Sequence, residues 1–183
     1  DTVIGTTGTD IVTISSAGSL RVSAVETVLG SSGTTDVVTM LTANLSTSGV
    51  ETVWGSTGAS DVLQLMDGTK VRVGNIETVL GTTATTDGIT LGVGGAVSVS
   101  GVDSVIGSTG TTDVVTLLSA GKLSVQAVET VLGTTGTDAV VMLAGGMLRI
   151  SDVESVTGSA ATNDALTMLT GGALSLSGVE TVI

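Results

Sequence analysis

The sequence has no proline, cysteine, histidine, phenylalanine or tyrosine, and its single tryptophan is Trp54. Without cysteine there can be no disulfide and no thiolate metal site. Without histidine there is no imidazole, and the abundant Ser and Thr have no base beside them to make a nucleophile. Carboxylates recur only as ladders, without the contrasting environments that separate a general acid from a general base. An enzyme is therefore not expected. Basic residues are also scarce: Arg21, Lys70, Arg72, Lys122 and Arg149 stand against 17 acids, for a net charge of −12. Nucleic-acid binding needs a basic footprint and stacking aromatics, so that partner class is excluded. An acidic surface points instead to cations or a basic partner. The apolar runs reach only about ten residues before a glycine interrupts them, too short for a transmembrane segment. There is no signal peptide or initiator Met, and the chain opens in mid-pattern at Asp1. It reads as a window of a longer array.

What is present is a repeat. Gly5-Thr6-Thr7-Gly8-Thr9-Asp10-Ile11-Val12-Thr13-Ile14 returns at 30–40, 55–65, 81–91, 107–117, 133–142 and 158–168. A period of 25 or 26 residues in a Val-, Thr- and Ser-rich chain indicates stacked β coils. The expected coils are 1–25, 26–50, 51–76, 77–102, 103–128, 129–153 and 154–179, with a stub at 180–183. Each should hold three short strands: one at the Glu-Thr-Val lead-in, one after the Asp and one before the next Glu. The fold class is all-β, a parallel β-solenoid.

Alternation assigns the core. In the second strand, Val12/Ile14, Val38/Met40, Leu63/Leu65, Ile89/Leu91, Val115/Leu117, Val140/Met142 and Leu166/Met168 should face inward. So should Leu20/Val22, Val71/Val73, Val97/Val99, Leu123/Val125, Leu148/Ile150 and Leu174/Leu176 in the third. The second copy has Leu45/Thr47, which places a hydroxyl in the core. The Val column 3, 28, 53, 79, 105, 131 and 156 should also be internal, and the next position, Ile4 to Trp54 to Thr157, external. The first glycine of each copy, 5, 30, 55, 81, 107, 133 and 158, is invariant, which calls for a positive φ or a close neighbour. Val37, Val62 and Val114 with Thr13, Thr39, Thr90, Thr116 and Thr167 should make a flat outward ladder. Asn44-Leu45-Ser46 is one glycosylation sequon.

Fifteen acids fall in two columns: Asp10, Asp36, Asp61, Asp87, Asp113, Asp138 and Asp164, and Asp1, Glu26, Glu51, Glu77, Asp103, Glu129, Glu154 and Glu180. If successive copies stack about 4.8 Å apart, each like-charged pair costs roughly 0.9 kcal/mol in water and several times more at lower dielectric. That cost calls for a counter-charge. For the aspartates, a glycine turn that aims carbonyl oxygens beside a carboxylate suits Ca²⁺; the alternative is an Asp that accepts N–H bonds within its own turn. The Glu column reads as a solvated face.

The stretch Gly5 to Thr13 resembles the glycine-rich nonapeptide of bacterial haemolysin-type (RTX) calcium-binding repeats. The Val-Glu-Thr-Val-Leu-Gly lead-in is similar to repeats of large secreted adhesins and surface-layer proteins. The likeness covers nine or ten residues per copy. It implies Ca²⁺ held by the seven aspartates, with backbone carbonyls near Gly5, Thr7 and the first glycines Gly30, Gly55, Gly81, Gly107, Gly133 and Gly158. The chain departs from the nonapeptide in having Thr or Ser at its second glycine, an extra residue before five of the aspartates, and Ala84 and Ala161 for the later glycine. The resulting expectation is a calcium-stabilised extracellular structural module: an adhesin stalk, surface layer, sheath or filament. Its partners would be further copies, end to end or side by side, and a cell-surface polysaccharide or other surface partner. The alternative is an ice-binding or other ligand-binding solenoid that uses the Thr/Val face.

Overall fold

A computed structural model describes the whole chain except Thr34, Ala59, Ala84, Thr85 and Thr111. Among the described residues the regular elements are 22 strands, three to a repeat as the alternation requires. Lead-in strands are β1 (Thr2–Ile4), β4 (Thr27–Leu29), β7 (Thr52–Trp54), β10 (Thr78–Leu80), β13 (Ser104–Ile106), β16 (Thr130–Leu132), β19 (Ser155–Thr157) and β22 (Thr181–Val182). Strands after the aspartate are β2 (Ile11–Thr13), β5 (Val37–Met40), β8 (Val62–Leu65), β11 (Gly88–Leu91), β14 (Val114–Leu117), β17 (Ala139–Met142) and β20 (Ala165–Met168). Third strands are β3 (Ser19–Ser23), β6 (Asn44–Ser48), β9 (Lys70–Gly74), β12 (Ala96–Ser100), β15 (Lys122–Gln126), β18 (Met147–Ser151) and β21 (Ser175–Ser177).

The odd-numbered strands form one eleven-stranded sheet and the even-numbered strands another, with parallel pairing throughout. The molecule is a parallel β-solenoid of about ten turns, each contributing one strand to each sheet. This corrects the coil count. Seven repeats are not seven coils, because three strands distributed over two sheets make one and a half turns per repeat. Equivalent residues of successive repeats therefore lie on opposite sides of the solenoid, and they return to the same side only after three turns. Two sheets suffice because short aliphatic side chains fill the space between them, and no third wall is needed.

The core lies between the sheets. Val38, Leu63, Val115, Leu123 and Leu166 are fully buried, as are Val28, Val53, Val79, Val105 and Val131 of the lead-in column. Thr47 is buried among them as expected. Residues of the terminal strands, Val3, Val12, Ile14, Leu20, Met168 and Leu174, pack against the core but are only partly buried. Leu176, expected inside, is 39% exposed, because β21 has a neighbour on one side only. One core column escaped the alternation: Val25, Val50, Ile76, Val102, Val128 and Val153 are buried just before each Glu. They are carried inward by a turn, so strand periodicity does not mark them.

That turn also explains the invariant glycine. Ala24, Gly49, Asn75, Gly101, Ala127, Asp152 and Gly178 all have φ between +51° and +66°. Each directs its carbonyl at the first glycine of the same repeat. A Cβ on Gly107 would lie 1.7 Å from the Ala127 oxygen, and one on Gly30 equally close to that of Gly49. None of the seven first glycines has a positive φ; close approach is the reason for the glycine.

The outward threonine ladder does not exist as one row. Thr39 and Thr90 lie in the odd sheet, and Thr13, Thr116 and Thr167 in the even sheet. Val37 likewise parts from Val62 and Val114. Along one face the register runs Thr2, Arg21, Thr39, Trp54, and along the other Thr78, Ser98, Thr116, Leu132. No two threonines of the set are neighbours.

Gly107→Ala should cost more than about 2 kcal/mol from overpacking, whereas Ala127→Gly should gain about 1 kcal/mol by relieving a left-handed residue; urea unfolding measures both. Excising 103–128, one whole repeat, rotates everything downstream by half a turn and preserves each contact type. That variant should melt within a few degrees of the parent. Excising 107–126, one geometric turn, breaks the order of turn types on both edges and should lower the midpoint by roughly 10 °C or more.

Candidate functional site

The turns between the sheets carry almost all the chemistry. On each edge they follow a cycle of three: a long glycine turn ending in Asp, a tight left-handed turn ending in Glu or Asp103, and a short turn that ends in a small or polar residue such as Gly18, Thr69 or Gly95. The turn 107–113 shows the construction. Ser108 N–H donates to Asp113 Oδ2 at 2.6 Å and the Ser108 hydroxyl donates to the same oxygen at 3.1 Å. Gly110 N–H donates to Ser108 Oγ at 3.1 Å, which closes the loop. Gly95, one turn earlier, donates its N–H to Asp113 Oδ1 at 3.2 Å. One turn later, Glu129 accepts the Asp113 N–H on Oε2 at 2.8 Å. The Asp113 carbonyl accepts N–H bonds from Glu129 and Thr130.

Each of the other repeats keeps the core of this design. Thr6, Ser31, Ser56, Thr82, Thr134 and Ser159 donate backbone N–H to the aspartate of their own turn at 2.5–2.6 Å. Asp10, Asp36, Asp61, Asp138 and Asp164 donate their N–H to Glu26, Glu51, Glu77, Glu154 and Glu180 at 2.7–2.8 Å. Asp87 does the same to Asp103 at 2.9 Å. Gly18 and Gly121 supply the extra N–H to Asp36 and Asp138. Asp36, Asp61, Asp87, Asp113, Asp138 and Asp164 are essentially inaccessible. A buried carboxylate is tolerable when N–H and O–H groups satisfy it.

Of the residues expected to hold calcium, Asp10, Asp61, Asp113 and Asp164 lie on one edge, and Asp36, Asp87 and Asp138 on the other. They do not form one column. Aspartates on the same edge are three strands apart, about 14 Å at the usual strand spacing, so the repulsion expected for stacked neighbours falls to roughly 0.3 kcal/mol in water. Gly5, Gly30, Gly55, Gly81, Gly107, Gly133 and Gly158 sit beside the aspartate Oδ2, and their N–H groups donate to the carbonyl of the last residue of a third strand. Thr7 is exposed. Among the described residues no three acidic side chains converge on a point that could hold a metal ion. A Ca²⁺ shell needs six to eight oxygens facing inward, whereas the oxygens of these aspartates face N–H and O–H donors, apart from Asp87 Oδ1, which is buried without a hydrogen-bond partner among the described residues. Carboxylates held singly by donors in this way do not converge into that shell.

The Glu column turns out to be a set of half-buried or exposed caps, and from Glu26 to Glu180 each takes the N–H of an aspartate. Sequence could not pair them, because partners such as Asp61 and Glu77 are 16 residues apart and adjoin only when one repeat makes a turn and a half. Asp67 falls outside both columns. It accepts the Ser48 hydroxyl at 2.7 Å and the Gly49 N–H, and so caps a left-handed turn much as Thr42 caps Ala24.

These features define a solenoid whose repeats are related by half-turns and tied by carboxylate–amide links. No family model, curated protein or solved structure matches the chain. No helix among the described residues is long and apolar enough to cross a membrane.

Asp113→Ala strands the Ser108 and Gly95 N–H groups and should destabilise by about 2–4 kcal/mol, with Asp113→Asn costing roughly half as much. Glu129→Ala exposes one N–H and should cost about 1–2 kcal/mol. Because Asp113 and Glu129 form one link, the double alanine variant should cost less than the sum, which a double-mutant cycle measures.

Proposed function

We propose that the chain is a structural module of an extracellular repeat array, a rigid spacer of the kind found in an adhesin stalk, sheath or surface layer, and not an enzyme. The observation that carries this reading is the interchangeability of the repeats. Every copy makes the same link from its Asp to an acid on the next turn, a Glu in all but one, where Asp103 takes its place, so rod length scales with copy number at roughly 7 Å per repeat. Repeat arrays of this kind gain stability from nearest-neighbour interfaces. The absence of cysteine and the likeness to secreted repeats favour export, and lateral or end-to-end association of such rods belongs to the same reading.

Rigidity in this proposal comes from the carboxylate–amide links, with no obligatory ion. Melting at neutral pH in calcium and in chelator should therefore differ by no more than about 3 °C. A fall of roughly 10 °C or more on chelation would return calcium to the aspartates, as the nonapeptide likeness implies, and would overturn the metal-free reading. Appending two further repeats should raise the melting temperature whichever way that experiment falls.

A further inference from the structure

Repeats related by half-turns make the two outer faces chemically equivalent unless the sequence breaks the equivalence. It does so most sharply around Trp54. At the same position the other repeats carry Ile4, Leu29, Leu80, Ile106, Leu132 and Thr157. Trp54 is in register with Gly74 on the next strand, where the other third strands end in Ser or Gln126. A Cβ on Gly74 would lie 2.1 Å from Trp54 Cζ3, and one on Gly92 would lie 3.0 Å from Cη2. Gly92 itself stands where five other repeats have Leu or Met. Gly74 points outward yet is buried, because the indole covers it. Two side chains are missing where the ring needs floor space, and the Cε3–Cζ3–Cη2 edge of the half-buried indole occupies their place.

Cations surround this platform. Arg72 Nε and the indole rim approach the same point above Gly92, at 3.1 and 3.0 Å from it. Lys70 is on the same strand, and Arg21 is two strands before Trp54 in its own register row, with Thr39 between. Lys122 continues the outward set on β15. Four of the five basic residues thus share the odd face, and only Arg149, on β18, lies on the even one. All four heads are exposed, whereas the aspartates and glutamates are engaged in the edge turns.

We propose that the odd face around Trp54 is a binding site for an anionic polysaccharide, with sugar rings stacked on the indole and their carboxylate or sulfate groups paired with Arg72, Lys70 and Arg21. An apolar ring with a few placed polar groups is the usual make-up of such a site. Sparse cations suit a polymer with widely spaced charges. The acidic edges that flank the face oppose the dense phosphates of a nucleic acid.

Trp54 is the only aromatic residue in the chain, so its fluorescence reports the site directly. Titrating the intact chain with polygalacturonate should change Trp54 emission saturably, and salt should weaken the effect. Neutral dextran should do nothing. In affinity electrophoresis Trp54→Leu, which restores the common residue, should abolish retardation and leave the melting temperature intact. Arg72→Gln should weaken binding about threefold, and Arg149→Gln should leave it unchanged. An emission change that Arg72→Gln and salt do not alter would overturn the proposal, as would no change with polygalacturonate or with chondroitin sulfate. Tighter binding of oligothymidylate would instead make this a nucleic-acid face. A concentration-dependent shift without glycan would make it a contact with a second copy.

Discussion

A carboxylate placed at the margin of an aliphatic core must be met by hydrogen donors, and the rest of this solenoid follows from how that is done. Asp113 takes donors from its own turn and from the turn before, and passes its N–H to Glu129 on the turn after. The links at Asp36, Asp113 and Asp138 thus fasten three turns, and those at the other aspartates fasten two. Such a link requires the glycine turn to be long, the left-handed turn to be tight and the third turn to bring a small or polar residue to the edge, always in that order. The three turn types of a repeat are therefore the three parts of one joint.

The joint also resolves the charge problem. Seventeen acids with five bases would be costly in a single stack. The half-turn offset divides the aspartates between two edges and separates those on each edge by three strands. The acids that remain adjacent, such as Asp61 and Glu77, have a donated N–H between them. Backbone amides turn partial positive charge toward these carboxylates.

Regularity makes the exceptions informative. Thr47 sits within an otherwise aliphatic column, and Asp103 replaces a Glu while keeping its bond to Asp87. Both changes respect the joint. Trp54 with Gly74 and Gly92 serves no part of it. The indole lies against both glycines, on the face that holds most of the positive charge.

The strands, the inward side of each and the invariant glycine are legible in the chain, because period-two alternation and a 25- or 26-residue repeat are local signals. Leu63 and Leu65 could be placed inside from their spacing alone. The number of strands in a turn emerges only in the folded molecule. Three strands per repeat are compatible with a three-walled coil, in which copies stack directly, or with two sheets, in which they alternate sides. Local pattern is the same in both. The choice rests on whether short Val, Leu and Met side chains can fill the space between two sheets without a third, which is a property of packing. On that choice hung the pairing of Asp with Glu, the division of the threonines between faces and the company Trp54 keeps.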